Sequence, residues 1–215
     1  MGGARQRQLV DIQIDRIKLE GELVGSSGVK GIVIFAHGSG SSRHSPRNKF
    51  VAEELQKVGI GTLLFDLLTE KEDEIYETRF NIELSTDRLV AATKWLKNQQ
   101  QAKGFKIGYF GASTGAAAAL AAAATLGSEI SAVVSRGGRP DLALSILDKV
   151  VAATLLIVGE GDELVVGLNE KAYRELKAEK GLEIVPGATH LFEEPGALER
   201  VAFLAADWFK KYLPS

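Results

Sequence analysis

The chain has 215 residues, of which 45% are hydrophobic and 25% charged, with a formal net charge of -2; this is the profile of one ordinary globular domain spanning residues 1–215. Near-neutral charge gives no footprint for nucleic acid, and the lack of cysteine excludes disulfides, thiolate metal sites and a cysteine nucleophile. No apolar run reaches the roughly 18 residues of a membrane helix, and residues 1–8 lack the apolar centre of a signal peptide, so a cytoplasmic protein with no membrane partner is expected. Gly2 follows Met1 as in a myristoylation signal, but Gln6 stands where that signal needs serine or threonine.

In chain order, residues 9–14 and 17–23 read as two strands joined by a tight turn at Asp15-Arg16, an antiparallel hairpin. Residues 32–36 form a short, almost wholly apolar strand. A helix is predicted over 48–58, with Val51, Leu55 and Val58 on one face and Ser45-Pro46 as N-cap and first-turn proline. Strand 62–67, helix 85–98 and strand 106–110 follow. An alanine-rich helix occupies 116–126, strand 132–135 comes next, and residues 135–150 hold only a turn and one modest helix. The chain ends with strand 153–158, helix 168–178, strand 182–185 and helix 197–212. Apolar strands alternating with amphipathic helices specify a mostly parallel sheet covered on both faces. Ligands in such sheets bind along the edge formed by the strand C-terminal ends.

Gly111-Ala112-Ser113-Thr114-Gly115 lies between strand 106–110 and the alanine-rich helix. This G-x-S-x-G string, in strand–turn–helix context, is a nucleophile elbow that lifts the serine out of the sheet. A serine hydroxyl needs a base, and the base needs an orienting acid. Of the three histidines (His37, His44 and His190), His190 lies between the last strand and the last helix, at the right edge. The acid falls between them in sequence, in Gly159-Glu160-Gly161-Asp162-Glu163 directly after a strand. Asp162 is favoured because the two glycines turn it back over the sheet edge, leaving Glu160 and Glu163 to solvent. An oxyanion hole needs two main-chain N–H donors. Thr114 follows the nucleophile, and Ser39 lies in the loop His37-Gly38-Ser39-Gly40, with Gly38 and Gly40 as rivals. His37 is expected to brace that loop.

These marks (His37-Gly38-x-Gly40, Gly111-x-Ser113-x-Gly115, Gly159-x-x-Asp162 and His190-x-Phe192) span residues 31 to 192, and the chain resembles an α/β-hydrolase of the dienelactone hydrolase-like group. The resemblance implies an eight-stranded sheet, a Ser113–His190–Asp162 triad, and cleavage of an ester-like bond through an acyl-enzyme. Dienelactone hydrolases proper carry cysteine as nucleophile, whereas this chain has serine, which turns the expectation toward a general carboxylesterase. The stretch from Ser39 to Asn48 also resembles hydrolase domains that accompany phosphoribosyltransferase-like domains, a companion absent from these residues.

Without a cap insertion after the sixth strand, a small ester substrate is expected, with no metal and no cofactor. Arg136 and Arg139 follow that strand, and Arg43 and Arg47 flank His44. Arg136 is a candidate to grip a substrate carboxylate or phosphate, against ordinary ion pairing and solvation. Asp66 reads as a turn residue rather than an arginine brace. Three other functions compete: a non-catalytic binding protein on this fold, a thioesterase or acyltransferase using the same residues, and a dinucleotide-binding oxidoreductase. The last fails because Gly108-x-x-Gly111-x-x-x-Gly115 is not G-x-G-x-x-G, and Ser135-Arg136 stands where an acid is needed. Trp95, Trp208 and Phe209 suit either a core or a subunit contact, leaving monomer and homodimer open.

Overall fold

The computed structural model describes residues 6–25 and 31–213; the Met1-Gly2 pair lies outside them. Eight strands form one sheet in the order β1-β2-β4-β3-β5-β6-β7-β8. β1 (Gln6–Ile14) and β2 (Ile17–Gly25) make the expected antiparallel hairpin, turning at Asp15 with φ 52°. β2 pairs antiparallel with β4 (Gly61–Phe65), and every later pairing is parallel. The remaining strands are β3 (Gly31–Ala36), β5 (Lys106–Ala112), β6 (Ile130–Arg136), β7 (Ala153–Gly159) and β8 (Lys180–Val185).

Among the described residues, five helices cover the two faces. α1 (Pro46–Lys57) and α6 (Ala197–Tyr212) lie on one side, where Val51, Leu55, Val201 and Phe209 meet Val33, Phe35 and Phe110. α3 (Ile82–Lys97) and α4 (Thr114–Leu126) lie on the other, where Leu89, Leu96 and Leu120 meet Ile32, Ile34 and Tyr109. Adjacent residues of β3 thus feed opposite layers, which is why the strand is apolar without alternation. The alanine run makes α4 thin, and every residue from Thr114 to Ala123 is buried. α5 (Glu163–Glu175) begins five residues earlier than the periodicity predicts, while α6 matches its predicted span.

α2 (Glu70–Asp73) was not foreseen, although Thr69 and Glu72 form a reciprocal capping box readable as T-x-x-E. Together with a 3-10 turn at Glu77–Phe80 it fills the crossing from β4 to α3. Between β6 and β7 the chain makes only a ten-residue 3-10 stretch, Pro140–Lys149, broken at Ala143, so no cap rises over the sheet edge. No helix among the described residues is long and apolar enough to cross a membrane.

Candidate active site

The site grows from the junction of β5 and α4. Ser113 occupies φ 52°, ψ -122°, a conformation that L-residues avoid and that costs about 1–3 kcal/mol. Its backbone is held there at both ends. The Ser113 N–H donates to Arg136 O at 3.2 Å, and Ser113 O accepts from Arg139 N and Ala116 N, each at 3.1 Å. The flanking glycines are required by contact. A methyl group on Gly115 would lie 2.3 Å from Ala36 O, and one on Gly111 would lie 2.5 Å from Ala116 Cα. Ser113 sits at the N-cap of α4, yet its side chain caps nothing. A serine there ordinarily satisfies a helix amide, worth about 1 kcal/mol; this hydroxyl is left for other use.

Asp162 repeats the pattern. It sits at the N-cap of α5 without a capping bond. Its Oδ2 instead lies 2.6 Å from His190 Nδ1, within the range of a short charge-assisted hydrogen bond. The turn that carries it is tied to the His190 loop: Gly161 N donates to Ala188 O at 2.9 Å and Glu160 N to Val185 O at 3.0 Å. Gly159 permits this closeness, since a methyl group there would fall 2.4 Å from Ala188 O and 2.7 Å from Thr189 O. Glu160, expected to be free in solvent, accepts from Gly187 N at 2.9 Å and braces the same loop.

The His190 ring faces the elbow across Gly137, where a methyl group would lie 3.6 Å from His190 Cε1. Gly137 directly follows the Arg136 carbonyl that holds Ser113. No hydrogen bond joins Ser113 Oγ to His190 among the described residues; such contacts are commonly long before substrate binds. On the other flank, a methyl group on Gly38 would lie 3.2 Å from Ser113 Cβ, so the β3 loop abuts Ser113. Gly40 turns away at φ 66° with nothing near it.

The oxyanion loop differs from expectation in one respect. The Ser39 N–H has an acceptor already, Thr114 Oγ1 at 2.8 Å. In the structure this amide is therefore already paired within the protein. The Thr114 N–H, in the first turn of α4, has no acceptor within its own helix.

His37 braces the loop as expected. Its Nε2 accepts from Leu67 N at 3.0 Å, which leaves the proton on Nδ1, donated to Gly38 O at 3.0 Å. Burial holds the ring below its ordinary pKa of 6.5. The unfolded chain takes up a proton that the folded ring refuses, so this contribution to stability is complete above pH 6.5 and lost as pH falls below it. Between pH 7.5 and 5, wild type should lose thermal stability more steeply than His37→Gln, which keeps an acceptor but does not titrate. Parallel slopes would contradict the assignment.

Comparison with known proteins gives the family of the chain. A family model described as the dienelactone hydrolase family matches residues 19–213. The chain belongs to the dienelactone hydrolase family. A dienelactone hydrolase from Anabaena variabilis is 54% identical, with a TM-score of 0.95 over 97% of this chain and 99% of its own. Est1E from Butyrivibrio proteoclasticus shares the fold at 18% identity, with a TM-score of 0.81 over 94% of this chain and 98% of its own. Relatives in two Mycobacterium tuberculosis strains, provisionally named phosphoribosyl transferases, are 53% identical over 204 residues, covering 95% of this chain but 46% of theirs. The chain therefore spans about half the length of these curated relatives.

In this family member, the arginines near the sheet edge divide. Arg43 is braced by Asp66, which accepts from its N–H at 2.7 Å and pairs with its guanidinium. Asp66 is thus an arginine brace, contrary to the turn-residue reading. Arg139 pairs with Asp141 at 2.8 Å. Arg136 is 5% exposed and has no carboxylate partner among the described residues.

Proposed function

We propose that this chain is a serine hydrolase cleaving small carboxylic esters through an acyl-enzyme on Ser113. The observation that carries the reading is the pairing of Asp162 with His190 at 2.6 Å, beside a serine held in a strained turn. His190 Nδ1 is committed to Asp162, which leaves Nε2 as the basic nitrogen. In the reaction, Nε2 takes the Ser113 proton as Oγ attacks the substrate carbonyl carbon. The N–H groups of Thr114 and Ser39 stabilise the resulting alkoxide, the latter after Thr114 Oγ1 releases it. His190 then gives its proton to the leaving alcohol, and the acyl group remains on Ser113. Water, deprotonated by His190, attacks that ester; the bond between Ser113 Oγ and the acyl carbon breaks, His190 returns the proton to Oγ, and the acid leaves.

The uncapped edge favours a small or exposed acyl group. The transferase name of the Mycobacterium tuberculosis relatives belongs to proteins about twice as long, and the residues here are those of covalent acyl transfer. A fluorophosphonate probe should label the wild-type chain and leave Ser113→Ala unlabelled. A panel of short nitrophenyl esters and thioesters then separates esterase from thioesterase. Absence of labelling, with the fold intact, would favour a non-catalytic binding protein instead.

A further inference from the structure

Arg136 is the anomaly of the sheet edge. Its backbone carbonyl supports Ser113, but its side chain crosses to the α1–α6 face, where it is 5% exposed. There its guanidinium reaches only Asn48 Oδ1, at 3.4 Å, and lies 5.9 Å from the centre of the Phe192 ring. Its Nε is buried without an acceptor among the described residues, and so is Nε of neighbouring Arg47. Arg47 Nη1 pairs with Glu193 Oε1 at 3.1 Å, on the outer side, where Glu193 is 66% exposed. Burial, with the charge of Arg47 added, lowers the Arg136 pKa to about 10.

A buried cation ordinarily has a carboxylate beside it, because the cost of leaving water is not otherwise met. Here a second cation stands nearby instead. A leucine or methionine would fill the same space without that cost. Two neighbouring guanidinium groups, each with a buried Nε–H that has no acceptor among the described residues, are suited to an anion. We propose that the side chains of Arg136 and of Arg47, at the start of α1, form an oxyanion-binding pocket on the α1–α6 side of the Ser113 elbow, entered by displacing Glu193 from Arg47. Its occupant carries a carboxylate or phosphate group, either as a free anion or as the acidic end of the ester.

Phe192 and Glu193, which cover the pocket, follow His190 by two and three residues. Phe192 is fully buried at φ 56°, so its ring anchors the loop on this side. An anion that replaces Glu193 thereby reports directly to the loop bearing the base. The substrate form of the proposal rests on the hydrolase reading above; the free-anion form does not.

The test separates them. Inorganic phosphate is titrated against Ser113→Ala, which needs no turnover, and the melting temperature is followed against sodium chloride at matched ionic strength. A saturable rise of about 5–10 °C is expected at a hundredfold excess over Kd, and it should vanish in Ser113→Ala carrying Arg136→Met. Separately, the Ser113 enzyme is assayed on a nitrophenyl hemisuccinate and on the neutral butyrate. If the pocket takes the substrate's acid, Arg136→Met lowers the hemisuccinate-to-butyrate ratio of kcat/KM at least tenfold, and phosphate competes with hemisuccinate. If it takes a free anion, the phosphate shift appears and the ratio holds. Should Arg136→Met not fold, Arg47→Met, on a partly exposed residue, is read in the same way. No saturable shift together with an unchanged ratio overturns the pocket. A phosphate shift without ester turnover keeps the pocket and removes the hydrolase reading.

Discussion

Ser113→Ala is expected to lower kcat on a short nitrophenyl ester by about 10⁶, because a nucleophile that works as one unit with its base takes nearly the whole rate with it. The fold should persist. The Ser113 side chain caps no helix, and the bonds that hold the elbow run through its backbone, to Arg136, Arg139 and Ala116. A loss of activity therefore cannot be assigned to a loss of structure, and circular dichroism with a melting curve checks this directly. Residual turnover some 10³-fold above water is compatible with the reading, since the two amide donors and the binding site remain. Ordinary ester turnover in the alanine variant would end the assignment of Ser113 as nucleophile.

Much of this was readable in the chain because local chemistry and tertiary demand coincide. Gly111 and Gly115 are visible as a motif, and the structure gives the reason, with carbonyls and Cα atoms where any Cβ would stand. α6 follows its predicted span because Leu198, Val201, Ala205 and Trp208 form an unbroken stripe against the sheet. The misses have a different origin. α5 starts early because its buried stripe runs Val165, Asn169 and Ala172, with a polar residue in the middle and Leu164 exposed, so apolar periodicity alone misplaces the helix start. Ser39 reads as an oxyanion donor because nothing in a sequence shows that a threonine hydroxyl 75 residues later reaches its amide. Asp66 and Arg43 pair across 23 residues for the same reason. Arg136 was singled out by position, but its burial and lack of a counter-charge are properties of packing, and only coordinates disclose them.

Asp162→Asn should lower kcat by about 10⁴ while leaving the fold in place. In the proposed mechanism the carboxylate does two things to His190. It fixes the proton on Nδ1, and it stabilises the imidazolium that forms when Ser113 is deprotonated. Asparagine keeps the size but can turn its NH₂ toward Nδ1, which places the proton on Nε2 and presents the hydroxyl with a donor rather than a base. The loss corresponds to about 5.5 kcal/mol of transition-state stabilisation, far above an exposed ion pair at roughly 0–1 kcal/mol. Stability should change little, since this side chain caps no amide of α5. Glu160→Gln is the control from the same turn: it bonds Gly187 N and does not contact the ring, so a loss of no more than about threefold is expected. Comparable losses in both variants would mean that the turn as a whole supports the loop and that Asp162 has no separate part in orienting the base. A deep loss confined to Asp162→Asn assigns the orienting role to this one carboxylate.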